Sequence, residues 1–297
     1  MHKKNQRKRM GNRMEHFFVV TNPRKDAELK TAHLIRDYLT RQGKGCIVDI
    51  GMKSPDKEGY TYNEQVEKDI DCIIVLGGDG TLLQAVTNLA EKDIPFLGIN
   101  LGTMGFLAEV NKSSIEDALE KLIGNNYNIE NRMMLSGKSY GRYGVKDTAR
   151  ALNDIVITRK GSLQIIDFNI YVNGEFLHCY HADGVIVSTP TGSTGYSLSA
   201  GGPIVEPKAD LIVLTPICPH SMQNRSIILS AEDMITVEIE SGRDGEIQEV
   251  EAIFDGCHKV PLCTGEKIEV QKSEKTTGIV KLSQMSFLEV LHRKMSD

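Results

Sequence analysis

From Phe17 to about Gly124, short apolar runs alternate with segments of helical spacing. "FFVVT", "CIVDI", "CIIVLGG" and "IPFLGIN" predict strands, and "AELKTAHLIRDYLTRQ", "GTLLQAVTNLAEK" and "SSIEDALEKLI" predict helices. In the first of these helices apolar residues recur at three and four, as in Leu29, Ala32, Leu34, Ile35 and Leu39. Strand–helix–strand order implies a parallel sheet with helices on its faces. Ligands of such sheets sit beyond the carboxyl ends of the strands, which is where "GGDG" and "NLGTMG" both fall.

After about Asn131 the intervening helices disappear. "DIVITR", "QIIDFNIYVNGEFLHCY", "GVIVSTP", "LIVLTPI", "SIILS", "MITVEIE" and "KIEVQK" are short, rich in Val and Ile, and punctuated by turn signals such as Asn173-Gly174. They predict a second, mostly β domain. "TPTGSTGYSLSAGGP" interrupts it with a loop that could open a short helix, and "QMSFLEVLHRKM" returns to helical spacing. The expected division is a basic extension over 1–15, an α/β domain over 16–128, a β-rich domain over 129–274, and a segment over 275–297 that returns to the α/β domain.

Composition narrows the class. The chain has 297 residues, 40% of them hydrophobic, enough for real cores. The net charge of -5 hides a basic head, "MHKKNQRKRMGNR", whose six Lys and Arg leave the remainder at about -11. That head reads as a solvated tail in preference to a nucleic-acid or lipid contact. No apolar run reaches the roughly 18 residues of a membrane span, so the expectation is a cytoplasmic protein with no membrane and no nucleic-acid partner. Six cysteines without a CxxC pair argue against zinc and against a disulfide framework.

Four constellations carry candidate chemistry. Gly77, Gly78 and Gly80 surround Asp79, and Thr81 begins a helix, so the stretch is either a phosphate loop or a tight turn capped by its acid. It is neither a GxxxxGK[ST] nor a GxGxxG motif. One βα unit later Asn100, Gly102 and Gly105 cluster at a second strand end. Asn153 with Asp154 could hold ribose hydroxyls or form an Asx-turn. Finally, "HADGVIVSTPTGSTGYSLSAGG" gathers hydroxyls and glycines around a Tyr196 ring able to stack on a base. His181 and His220 read as hydrogen-bonding groups, and Asp255-Gly256 as a turn.

"GGDGTLL", "NLGTMGFL", "ALND", "DGVIVSTPTGSTGYSLSAGGPI" and "TPICPHS", in this order and spacing, resemble the NAD kinase family. The resemblance implies an N-terminal Rossmann-like parallel-sheet domain and a C-terminal β-sandwich-type domain. It also implies NAD bound between them in a homodimer or homotetramer, with ATP or polyphosphate as phosphoryl donor and Mg²⁺ as cofactor. The implied reaction phosphorylates the 2′-hydroxyl of the adenosine ribose of NAD to give NADP. On the matching positions Asp79 is the implied proton acceptor, Gly80 lies beside NAD and Phe106 near the adenine. Asn153 and Asp154 contact the ribose, Asp183 stands at the nicotinamide end with His181 near it, and Thr191 and Thr194, Gly195, Tyr196, Ser197, Leu198 and Ser199 border the dinucleotide. Gly77, Gly78, Gly80 and Thr81 form the implied phosphate loop, and Pro219 lies near the nucleotide at a subunit interface. Asp154 stands where Glu is usual, Gly195 where Ala is frequent, His181 where Arg often precedes "ADG", and Cys257 where Gln often follows "DG". The competing readings are a lipid kinase of the diacylglycerol or sphingosine type, which shares "GGDG" but typically carries "GTGND", and a nucleotide sensor without turnover.

Overall fold

The computed structural model describes residues 13–53, 60–61, 69–102, 105–161, 165–221, 225–283 and 285–296. The basic head up to residue 12, and Thr103 and Met104 of the second glycine cluster, lie outside the described residues.

Four strands of the first half form a parallel sheet: Gly45–Asp49 pairs with His16–Thr21, which pairs with Cys72–Gly77, which pairs with Phe96–Asn100. Side chains alternate between its two faces. Phe17, Val19, Ile74 and Leu76 bury themselves under Ile35 and Leu39 of helix α1 (Lys30–Arg41) and under the helix of residues 115–123, which carries Leu119 and Leu122. Phe18, Val20, Ile73 and Val75 point the other way, onto Leu82, Val86 and Leu89 of helix α2 (Asp79–Leu89). Burial on both faces explains why these strands read as unbroken apolar runs.

The second half packs one antiparallel layer on another. Six strands run in the spatial order Ile227–Ser230, Leu211–Ile217, Gly184–Ser188, Asp154–Arg159, Glu249–Phe254 and His258–Cys263. Their inner residues, such as Ile155, Val187 and Ala252, meet Phe168, Val237 and Val270 from the facing sheet. The architecture is therefore an α/β unit plus a β-sandwich-type unit.

The two units share a sheet. The strand Lys267–Lys281 pairs antiparallel with Ile235–Ile239 through its first part and with Asn128–Gly141 along its length. Near its end Ile279 lies opposite Phe96, in parallel with the last strand of the α/β core. An irregularity between Lys272 and Thr276 lets one strand serve both surroundings. No helix among the described residues is long and apolar enough to cross a membrane.

Candidate functional site

Helix α2 begins directly after the strand Cys72–Gly77, with Gly78 as its extended N-terminal cap. Gly77 must lack a side chain: a Cβ there would stand 2.3 Å from the Thr81 hydroxyl oxygen. That hydroxyl accepts the Gly78 N–H at 3.5 Å, so Thr81, itself buried, finishes the helix start. Asp79 is the first residue of α2, and its carboxylate is turned onto the segment that follows the neighbouring strand. Oδ2 accepts the Phe106 N–H at 2.7 Å, and Oδ1 accepts those of Leu107 and Ala108 at 3.1 Å each. A carboxylate offers about four lone-pair directions, so three are taken and one remains, on Oδ2. This close docking requires Gly105, where a Cβ would meet Asp79 Oδ1 at 1.9 Å. Asn100 Oδ1 accepts the Gly102 N–H at 2.8 Å, an Asx turn that steers the same segment.

A second turn faces this one. Asn153 leads into the strand Asp154–Arg159, and the backbone N–H groups of Leu152, Asn153 and Asp154 all donate to the Asp255 carboxylate, at 2.7, 2.8 and 3.2 Å. Asp255 is nearly buried and has φ +48°. It is a turn residue, as the sequence predicts, but its side chain points inward and holds the Asn153-Asp154 turn. The Asn153 carbonyl accepts the Thr189 N–H at 2.8 Å, and the Thr189 hydroxyl donates to the Leu152 carbonyl at 2.7 Å. Gly192 packs on the same peptide so closely that a Cβ would stand 2.2 Å from the Asn153 carbonyl oxygen. The hydroxyl-rich loop is thereby folded as a 3-10 turn over Thr191–Thr194 and a short helix over Tyr196–Ser199.

Between these turns lies a cavity of about 580 Å³, within the range of small-molecule sites. Its wall brings together Asp79, Phe106, Asn153, Asp154, Thr191, Thr194, Gly195 and Tyr196, all anticipated from sequence. Tyr196 keeps 48% of its surface exposed at the rim, free to cover a flat ring. Among the described residues the buried Asn153 Oδ1 has no hydrogen-bond partner, which leaves an unsatisfied acceptor at the wall. Asp154 and Asp255 are both raised above the carboxylate range by burial. Asp154, with the charge of Asp255 adding to burial, reaches about 7. Asp255 reaches about 6, its rise restrained by the three backbone N–H groups.

Other anticipated residues stand elsewhere. Gly77, Gly78, Gly80 and Thr81 support Asp79 without lining the cavity. Ser197 is buried with its hydroxyl 3.2 Å from that of Thr215, which makes it a packing residue, and Leu198 and Ser199 are exposed outside the wall. His181 is 63% exposed and bonds through Nδ1 to Asp167, and Asp183 pairs with Arg159 at 3.5 Å. The His220 N–H donates to the His181 carbonyl at 2.8 Å, which places the segment holding Pro219 alongside. None of these four residues lines the cavity. Residues missed from sequence include Asp255, Val156 and Thr158. The last two were within reach: Asp154, Val156 and Thr158 alternate along one strand and must share a face. Beside the cavity, Phe106 is covered by a C-terminal helix, Phe287–Ser296, whose Phe287 ring lies 6.1 Å away and whose Lys294 ammonium lies 5.2 Å from the Phe106 ring centre.

Residues 17–127 match the family model of the ATP-NAD kinase N-terminal domain, and residues 152–282 that of the C-terminal domain. The chain is 46% identical over 293 residues to an NAD kinase of Lachnospira eligens, covering 95% of this chain and 100% of that protein. It is 44% identical over 288 residues to one of Agathobacter rectalis, covering 96% and 99%. Among solved structures it resembles yeast NADH kinase complexed with NADH (TM-score 0.80, 26% identity, 96% of this chain and 88% of that one). It also resembles an NAD kinase from Archaeoglobus fulgidus in complex with ATP (TM-score 0.75, 27% identity, 95% and 98%). With both halves of the family matched and the relatives aligned nearly end to end, the chain belongs to the NAD kinase family.

Proposed function

We propose that this protein is an NAD kinase that moves the terminal phosphoryl group of ATP to the 2′-hydroxyl of the adenosine ribose of NAD. The observation that carries the assignment of roles is the state of Asp79, whose carboxylate is fixed by three N–H donors and keeps one lone pair in a wall opposite Asn153 and Asp154. A ribose held by Asn153 and Asp154 would present its hydroxyl across the cavity to that lone pair. As the hydroxyl oxygen forms its bond to the γ-phosphorus and the bond from phosphorus to the β-phosphate oxygen breaks, the hydroxyl proton passes to Asp79 Oδ2, and ADP leaves. Fixing the acceptor beforehand avoids reorganisation during the transfer.

Phosphoryl transfer depends on positioning and charge neutralisation, and a Mg²⁺ ion bound with the donor would supply the latter. A small hard cation that keeps several waters and takes one or two carboxylates suits a site where, among the described residues, no group of three His, Cys, Asp or Glu is gathered. Such an ion would be held mainly by the donor's own phosphates, where it would supply charge neutralisation. Polyphosphate as an alternative donor, and assembly as a homodimer or homotetramer, extend the same reading, checked by a donor comparison and by light scattering. The kinases of known kind found above leave the lipid-kinase alternative without support.

The test is a coupled assay: protein, ATP, Mg²⁺ and NAD, with NADP read by an NADP-specific dehydrogenase. Wild type makes NADP, and Asp79→Asn lowers kcat by about 10²- to 10⁴-fold while NAD still binds. Near-normal turnover by Asp79→Asn would remove Asp79 as the base. Tight NAD binding with no NADP from wild type would turn the reading to a sensor.

A further inference from the structure

The cavity wall poses an electrostatic problem. Asp79, Asp154 and Asp255 contribute three carboxyl groups to it, and among the described residues it contains no Lys or Arg. A phosphoryl donor carrying several negative charges must nevertheless come to rest beside Asp79. Charge of the opposite sign has to reach it from outside the wall.

Lys25 is placed to supply it. It lies in the turn after the strand His16–Thr21, which is hydrogen-bonded to the strand ending at Gly77, so the two turns emerge side by side. Its ammonium stands 3.2 Å from the point a Cβ on Gly78 would occupy, over the residue that precedes Asp79. Because Gly78 has no side chain, nothing of its own intervenes. The turn is held rigidly. The Lys25 and Asp26 N–H groups both donate to the Asn22 carbonyl, and the buried Asp26 carboxylate accepts the N–H groups of Thr31 and Ala32 at 2.9 and 3.0 Å. The lysine itself is exposed, and no carboxylate among the described residues forms an ion pair with it. An ammonium with no ion-pair partner among the described residues, on a fixed backbone and over the residue that precedes Asp79, is a cation open to a ligand.

We propose that Lys25 is the donor-binding cation of this enzyme, contacting the β- or γ-phosphate of the nucleoside triphosphate and taking no part in binding NAD. The proposal rests on the kinase reading above. It makes the turn after the first strand, which none of the glycine motifs includes, part of the donor subsite.

Lys25→Ala and Lys25→Arg are compared with wild type in steady-state assays that vary ATP and NAD separately, with Lys160→Ala as a surface control. Lys25→Ala raises the donor KM about tenfold or more and leaves the NAD KM within about twofold, and Lys25→Arg restores most of the loss. The donor KM of wild type rises with salt more steeply than that of Lys25→Ala. Calorimetric titration with the Mg²⁺ complex of ADP, which needs no turnover, shows the same loss of affinity in Lys25→Ala. If wild type makes no NADP, the kinase reading fails, and the titration still decides the role of Lys25. An unchanged donor KM and ADP affinity in Lys25→Ala, equal effects on both substrates, or wild type that does not bind ADP would overturn the proposal.

Discussion

Asp79 and Asp255 occupy opposite walls of one cleft and bond alike, each accepting three consecutive backbone N–H groups from a distant turn. They differ in surroundings. Asp79 is half-buried at the start of a helix and keeps a lone pair toward the cavity, whereas Asp255 is nearly buried at a left-handed turn. The same bonding pattern therefore leaves Asp79, the proposed proton acceptor, a lone pair toward the cavity, and turns the Asp255 carboxylate into a backbone staple. On the proposed roles, what separates the reactive acid from the structural one is the access left over after the backbone has been satisfied.

Removing each acid in turn breaks the comparison most sharply. Asp255→Ala leaves three N–H groups of a buried turn without an acceptor, and its unfolding free energy falls on the order of 3 kcal/mol. Asp79→Ala leaves donors that water can reach, so denaturant melts shift less while NADP formation collapses. Melts that shift equally would show that the two acids are structurally equivalent. Gly105→Ala comes next. Its Cβ cannot coexist with Asp79 Oδ1, so the carboxylate must move and kcat falls about 10²-fold, with thermal stability read alongside to separate displacement from unfolding.

A smaller effect comes from the pair Asp154 and Asp255, both of which bind protons more tightly folded than unfolded. For Asp154 the folded value of about 7 exceeds the unfolded value of roughly 3.9, so stability from this group is greatest below the unfolded value and is lost as pH rises through 7. Asp154→Asn carries no such loss. The stability difference between variant and wild type therefore widens by roughly 2 kcal/mol in favour of the variant from pH 5 to pH 7. A pH-independent difference would remove the titration of Asp154 from the account. The smallest effect is Gly80→Ala. An added Cβ there meets nothing within 4 Å, and alanine improves the helix, so the melt rises by less than about 1 kcal/mol. A loss of activity in this stable variant would mark the space beside Gly80 as substrate space.

Much of this arrangement was legible in the residues, and for identifiable reasons. Gly77, Gly105 and Gly192 stand where a single carbon would collide with Thr81, Asp79 or the Asn153 carbonyl, and such close approaches leave glycine clusters in a sequence. Runs such as "CIIVLGG" declared strands buried on both faces. Asp255 stayed hidden because its partners lie more than a hundred residues away, and a turn signal reports backbone shape without reporting what the side chain holds. The shared sheet stayed hidden as well: alternation along "KIEVQK" tells which residues point inward but not which strand lies beside them. His181 and Asp183, which the resemblance assigns to the nicotinamide end, have side chains that pair with Asp167 and Arg159 and stand outside the cavity wall.

The strand Lys267–Lys281 has a consequence for how the protein is made. It is the last strand to leave the ribosome among the described residues, yet it pairs with Phe96–Asn100, Asn128–Gly141 and Ile235–Ile239. Until it emerges, the parallel core and the sandwich each carry an open edge, and the nascent chain must keep those edges from pairing with other chains. Joining the two units thus waits for this strand, and the cleft between them cannot take its shape before it emerges.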